Sequence, residues 1–108
     1  MKKINLAITG CMGRMGQQLI KSAIKDKSTK LVALTENRLI KKKISGINLG
    51  LNTEKTLNKA NVIIDFTIPK CTFEVLKIAS RLKKRVVIGT TGFTEKEENL
   101  IKKFSKKI

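Results

Sequence analysis

Apolar residues along this chain switch between two spacings. Short apolar runs have the length and composition of strands: Ile4-Asn5-Leu6-Ala7-Ile8, Leu31-Val32-Ala33-Leu34, Val62-Ile63-Ile64-Asp65-Phe66 and Val86-Val87-Ile88. Between them, apolar positions recur at helical spacing. Leu19, Ile20, Ala23 and Ile24 predict one helix from about Arg14 to Lys25. A second starts at Pro69, which suits a first helical turn, and carries Phe73, Leu76 and Ala79, widened by Val75, Ile78 and Leu82. A last helix opens with Thr94 and Glu97 as a capping box and presents Leu100, Ile101, Phe104 and Ile108 along one side. Between the second and third strands lies a basic, irregular stretch with Lys41-Lys42-Lys43, Gly46 and Gly50. A short helix follows it, from Thr53 as cap to about Lys59, with Leu57 turned inward. Strands alternating with helices predict an α/β fold: a doubly wound parallel sheet, right-handed crossovers, and helices on both faces.

Composition narrows the picture. A chain of 108 residues without repeat or linker makes one domain with a modest core. No apolar run approaches the ~20 residues of a membrane span. The opening Met1-Lys2-Lys3 is followed too soon by Asn5 and Gly10 for a secretory signal, so a cytoplasmic location is expected. The net charge of +16 raises nucleic acid as a partner, but its carriers are mostly lysines scattered along the chain. Tyr and Trp are absent, so no stacking platform for single strands is offered, and a lysine-rich solvated surface is the preferred reading. The two cysteines, Cys11 and Cys71, are far apart in sequence and no histidine occurs, which argues against zinc. Cys11 is read as a small packing residue.

The candidate chemistry lies at the first strand–helix junction. Thr9-Gly10-Cys11-Met12-Gly13-Arg14-Met15-Gly16 places three glycines where the backbone must turn sharply. The helix start behind them offers free N–H groups and a positive dipole end, a cradle for the pyrophosphate of a dinucleotide. The spacing is Gly-x-x-Gly-x-x-Gly, with Met12 where such loops more often have glycine. Glu36 stands 20 residues beyond Gly16, at the end of the second strand, where a carboxylate can accept both hydroxyls of an adenosine ribose. Arg38 and Lys41 to Lys43 could instead attract the extra phosphate of NADP, so NADH and NADPH both stay open. Two further turns, Phe66-Thr67 and Gly89-Thr90-Thr91-Gly92, fall at carboxyl ends of strands, where open α/β sheets bind ligands.

Together these segments resemble dihydrodipicolinate reductase, now called 4-hydroxy-tetrahydrodipicolinate reductase, of bacterial lysine and diaminopimelate synthesis. The resemblance rests on Gly10 to Gly16, Ala33-Leu34-Thr35-Glu36, Asp65-Phe66-Thr67-Ile68-Pro69 and Val87 to Phe93, and spans essentially the whole chain. It implies a Rossmann-like domain and hydride transfer from NADH or NADPH to a cyclic imine-type intermediate. It also implies that Gly10, Cys11, Met12, Gly13, Arg14 and Met15 hold the pyrophosphate, with Gly16 completing the loop, and that Glu36 holds the ribose. Phe66, Thr67, Gly89, Thr90 and Thr91 are then expected at the nicotinamide end. The family often has arginine directly after the acid; here Asn37 occupies that place and Arg38 follows.

In this family the substrate-binding histidines and lysine, and the main tetramer contacts, belong to a C-terminal domain. Residues 1–108 are therefore expected to be the cofactor-binding part alone, monomeric or weakly associated, and inactive on substrate without that domain. Two other readings compete. An extended short-chain dehydrogenase would share the glycine spacing but needs a Tyr-x-x-x-Lys pair, and the chain has no tyrosine. A non-catalytic nucleotide-sensing module would need only the loop and Glu36.

Overall fold

The computed structural model describes residues 3–107; Met1, Lys2 and Ile108, the last expected on the face of the final helix, lie outside them. The element order is β1 (Ile4–Thr9), α1 (Arg14–Lys25), β2 (Thr29–Thr35), β3 (Lys43–Ile44), β4 (Ile47–Asn48), α2 (Glu54–Leu57), β5 (Val62–Asp65), α3 (Pro69–Leu82), β6 (Arg85–Ile88) and α4 (Glu95–Ser105). The main sheet runs β2-β1-β5-β6, with every neighbouring pair parallel. This is the doubly wound arrangement that the alternating pattern predicts.

Successive strand residues face opposite sides of a sheet, and the core divides accordingly. Ala7, Ile63, Val75 and Ala79 belong to one buried cluster, which α3 covers together with Leu57 of α2. Ile8, Ile20 and Leu34 belong to the other, which α1 covers. A bulge in β2 keeps this sorting intact. Leu6 pairs with Leu31 but Ala7 pairs with Ala33, so Val32 is extra and packs on the same side as Ala33.

Helix boundaries follow local chemistry. Thr53 caps α2, its hydroxyl accepting from the Thr56 amide at 3.2 Å. Thr94 and Glu97 form the expected reciprocal box at α4, at 3.2 and 2.9 Å. Pro69 sits in the first turn of α3, as expected. α4 buries no residue fully and leaves Leu100 exposed; ahead of it, Phe93 meets Phe73 of α3 edge to face at 5.9 Å.

Three local features differ from the sequence reading. The stretch expected to be irregular contains the β3–β4 hairpin, turning at Ser45 (φ 52°) and Gly46 (φ 79°). Positive φ at both central residues is the turn that matches strand twist. α2 ends at Leu57 rather than near Lys59, and β5 ends at Asp65 rather than Phe66. The return from the hairpin borders β2: the Gly50 amide donates to Leu34 O at 2.9 Å, and the Glu36 amide to Gly50 O at 3.0 Å.

Candidate functional site

The strand order changes direction between β1 and β5, and the carboxyl ends of strands at such a point open a crevice. Gly10 is the first residue beyond β1 and has φ +69°. A Cβ there would lie 2.1 Å from the Phe66 carbonyl oxygen, so only glycine lets the β1 and β5 exit turns touch. Gly16 lies one turn into α1, where a Cβ would come within 2.3 Å of Gly10 O. The helix start is thereby folded back on the loop that precedes it.

That start is open. Gly13 is the N-cap and provides no side-chain hydrogen bond, and the first turn of α1 contains no acidic residue. Its leading N–H groups and dipole end therefore face the crevice without a partner among the described residues. A cleft of about 260 Å³ lies there, lined by Gly10, Gly13, Glu36, Asn37, Phe66, Thr67, Ile68 and Cys71. Its size suits part of a dinucleotide.

Glu36 enters the cleft from the end of β2. Its Oε2 accepts the Met12 amide at 2.8 Å, while Oε1 has no hydrogen bond among the described residues. The carboxylate thus braces the glycine loop and keeps acceptor capacity on the cleft side. Beneath the loop, the Cys11 side chain is fully buried in the cluster with Ile8 and Leu34. Burial, and then the Glu36 charge, push the Cys11 thiol up to about 11. Cys11 is therefore a neutral packing group, and only its backbone belongs to the loop.

The other predicted residues are distributed unevenly. Phe66 and Thr67 line the cleft. Gly89 lies against the Phe66 ring so closely that a Cβ would meet its Cε1 at 2.0 Å. Thr90 is buried, accepting the Thr67 amide on its hydroxyl at 2.9 Å. Thr91 is exposed at the rim. Met12 is half-buried against the cluster under the loop, whereas Arg14 and Met15 are exposed on the first turn of α1. Arg38 is exposed and outside the cleft lining, where Asn37 stands instead. Burial and the charges of Glu74 and Asp65 raise the Cys71 thiol, and an Asn37 side-chain hydrogen bond acts the other way.

Sequence reasoning missed the residue that organises the Phe66-Thr67 and Gly89–Thr91 turns. Asp65 is fully buried and accepts hydroxyls from Thr9, Thr67, Thr72 and Thr90. The acid inside the apolar run Val62 to Phe66 was the available signal, because a buried acid requires partners. Among the described residues, no group of three or more His, Cys, Asp or Glu could hold a metal ion, and no helix is long and apolar enough to cross a membrane.

A parallel sheet wound on both faces, with a glycine-walled and uncapped helix start at its switch point, defines a class: Rossmann-like domains of the dinucleotide-binding kind. Within that class the match is specific. Residues 4–108 match the family described as dihydrodipicolinate reductase, N-terminus. The chain belongs to this family. It is 71% identical over 108 residues to 4-hydroxy-tetrahydrodipicolinate reductase of Pelagibacter ubique (strain HTCC1062), covering all of this chain and 42% of that protein. It is 46% identical over 121 residues to the reductase of Buchnera aphidicola subsp. Schizaphis graminum (strain Sg), covering 99% of this chain and 44% of that one. The solved structure of dipicolinate-bound dihydrodipicolinate reductase from Paenisporosarcina sp. TG-14 superposes with a TM-score of 0.79 at 27% identity, over 95% of this chain and 43% of that chain. The chain thus spans about two fifths of the length of the curated relatives it matches.

Proposed function

We propose that residues 1–108 form the cofactor-holding part of a 4-hydroxy-tetrahydrodipicolinate reductase in lysine and diaminopimelate synthesis, binding NADH or NADPH at the β1–β5 crevice. The observation that carries this reading is the uncapped start of α1, opening on a cleft shared by Gly10, Gly13, Glu36, Phe66 and Thr67. In this reading the backbone N–H groups of Arg14, Met15 and Gly16 receive the pyrophosphate, as helix starts receive anions, while the Gly13 amide is held by Gly10 O at 3.1 Å. Glu36 turns its free Oε1 to the adenosine ribose, and the turns at Phe66-Thr67 and Gly89-Thr90-Thr91 border the nicotinamide.

When bound, the cofactor supplies the hydride that reduces the substrate. The chain's own residues orient it: the glycines allow backbone approach, and the Phe66 ring against Gly89 walls one side of the crevice. The chain contains no histidine, and we assign substrate binding and proton supply to the greater length of the relatives outside the matched region. Turnover, assembly into a larger oligomer and a cytoplasmic location go with that complete protein.

Glu36 favours NADH, since a carboxylate repels a ribose phosphate. Arg38 and the lysines after it would draw NADPH through charge alone. Calorimetric titration of the chain with each cofactor tests the reading. Binding of at least one is expected, and a flat titration with both at millimolar concentration overturns it.

A further inference from the structure

Asp65 closes β5 with no solvent exposure, and all its side-chain partners are neutral. Thr9 and Thr67 hydroxyls donate to Oδ1 at 2.5 and 2.9 Å, and Thr72 and Thr90 hydroxyls donate to Oδ2 at 2.5 and 3.0 Å. A carboxylate has about four lone-pair sites, so its capacity is filled and none is left for a ligand. Saturation and burial rule out a general-base role for this acid.

The donors come from four places: the end of β1, the β5–α3 turn, the first turn of α3 and the β6–α4 turn. The turn pair is joined again through the Thr67 amide on Thr90 Oγ1 at 2.9 Å and the Gly89 amide on Asp65 O at 2.8 Å. The glycine loop is held differently. Its Gly10 and Cys11 amides donate to Thr35 O at 3.0 and 3.2 Å, and Glu36 holds Met12. The two sets of bonds meet at Thr9, which donates to Asp65 and precedes Gly10, and beyond that residue each fixes its own end of the crevice.

We propose that Asp65 is a positioning residue that sets the spacing between the Phe66-Thr67 and Gly89–Thr91 turns, and so shapes the nicotinamide end of the groove while leaving the pyrophosphate end alone. The proposal rests on the cofactor reading above. A purely structural role predicts equal damage at both ends. A positioning role predicts damage at one. Asparagine at position 65 would offer one acceptor oxygen where two are used, and turn an amino group toward hydroxyls now arranged as donors.

The test compares NADH with ADP-ribose, which lacks the nicotinamide half, on the full 108-residue chain. For Asp65→Asn we expect NADH affinity to fall about tenfold while ADP-ribose stays within about twofold. The emission of the bound dihydronicotinamide should shift toward that of the free cofactor. Thr72→Val provides a second variant that keeps side-chain volume. Thr72 is buried and outside the cleft lining, and its hydroxyl reaches only Asp65 Oδ2 at 2.5 Å and Thr67 Oγ1 at 3.4 Å, so its effect runs through Asp65 and the Thr67 hydroxyl that shares it. It should reproduce the selective loss in milder form, and Thr72→Ser should restore NADH binding. Equal weakening of both ligands, or unchanged NADH binding and emission in Thr72→Val, overturns the proposal. A wild-type chain that binds neither ligand overturns the cofactor reading itself; one that binds both leaves only the role of Asp65 at stake.

Discussion

Glu36 and Cys11 show how one side chain serves two neighbours. The carboxylate braces the Met12 amide, and its charge helps hold the thiol beneath the loop in the neutral form. Glu36→Ala should weaken NADH more than NADPH in calorimetry, because it removes the ribose acceptor and a repulsion toward the extra phosphate; an equal effect would remove its ribose role. Cys11 makes a pH prediction. Burial, and then the Glu36 charge, push its thiol up from the ordinary 9.0 to about 11 on folding, so the unfolded chain loses its proton first. Stability from this residue is present below pH 9 and lost as pH rises toward 11, which denaturant melts across that range would reveal. Gly16→Ala should destabilise by about 1–3 kcal/mol in urea unfolding, since its Cβ would press on Gly10 O. Gly10, Glu36 and Phe66 were legible in the sequence because turn chemistry and strand ends announce them. Asp65 with Thr9 was not. These residues are 56 positions apart and meet through the β1–β5 register, where Thr9 lies opposite Asp65. Arg38 and Asn37 exchange places for a similar reason: the chain direction beyond a strand decides which side chain lines the cleft, and spacing alone does not set it.

Helix ends separate structural from ligand-facing duties. α2 and α4 are closed by threonine caps, while α1 and α3, which begin beside the cleft, have no side-chain cap. Thr94→Ala should therefore cost about 1 kcal/mol in thermal unfolding and leave cofactor affinity unchanged. The four strands of the main sheet and the three longer helices were legible from periodicity, because each carries an apolar run or stripe, even α4 and β6, which bury no residue fully. The β3–β4 hairpin was not, since strands of two residues have too little pattern to register. Ile44-Ser45-Gly46-Ile47 does contain its turn signal, a Ser-Gly pair between apolar residues. The β2 bulge escaped because Leu31-Val32-Ala33-Leu34 reads as an unbroken apolar run, in which no alternation marks a face, and only the pairing with β1 shows the extra residue.

Across the whole molecule, the net charge of +16 includes one cationic hollow at the opposite end of the strands from the glycine-walled crevice. Lys3, Lys83, Lys84 and Arg85 line a hollow at the amino ends, far from the crevice beyond the carboxyl ends. A dinucleotide attracted by charge alone would prefer the first, whereas one held by the glycine loop must take the second. Amide chemical-shift mapping of isotope-labelled chain titrated with NADH separates these directly. We expect the largest shifts from Gly10 to Gly16, at Glu36, at Phe66-Thr67 and from Gly89 to Thr91. A response centred on Lys3 and Lys83 to Arg85, or none at saturating cofactor, would contradict the glycine loop as the cofactor site.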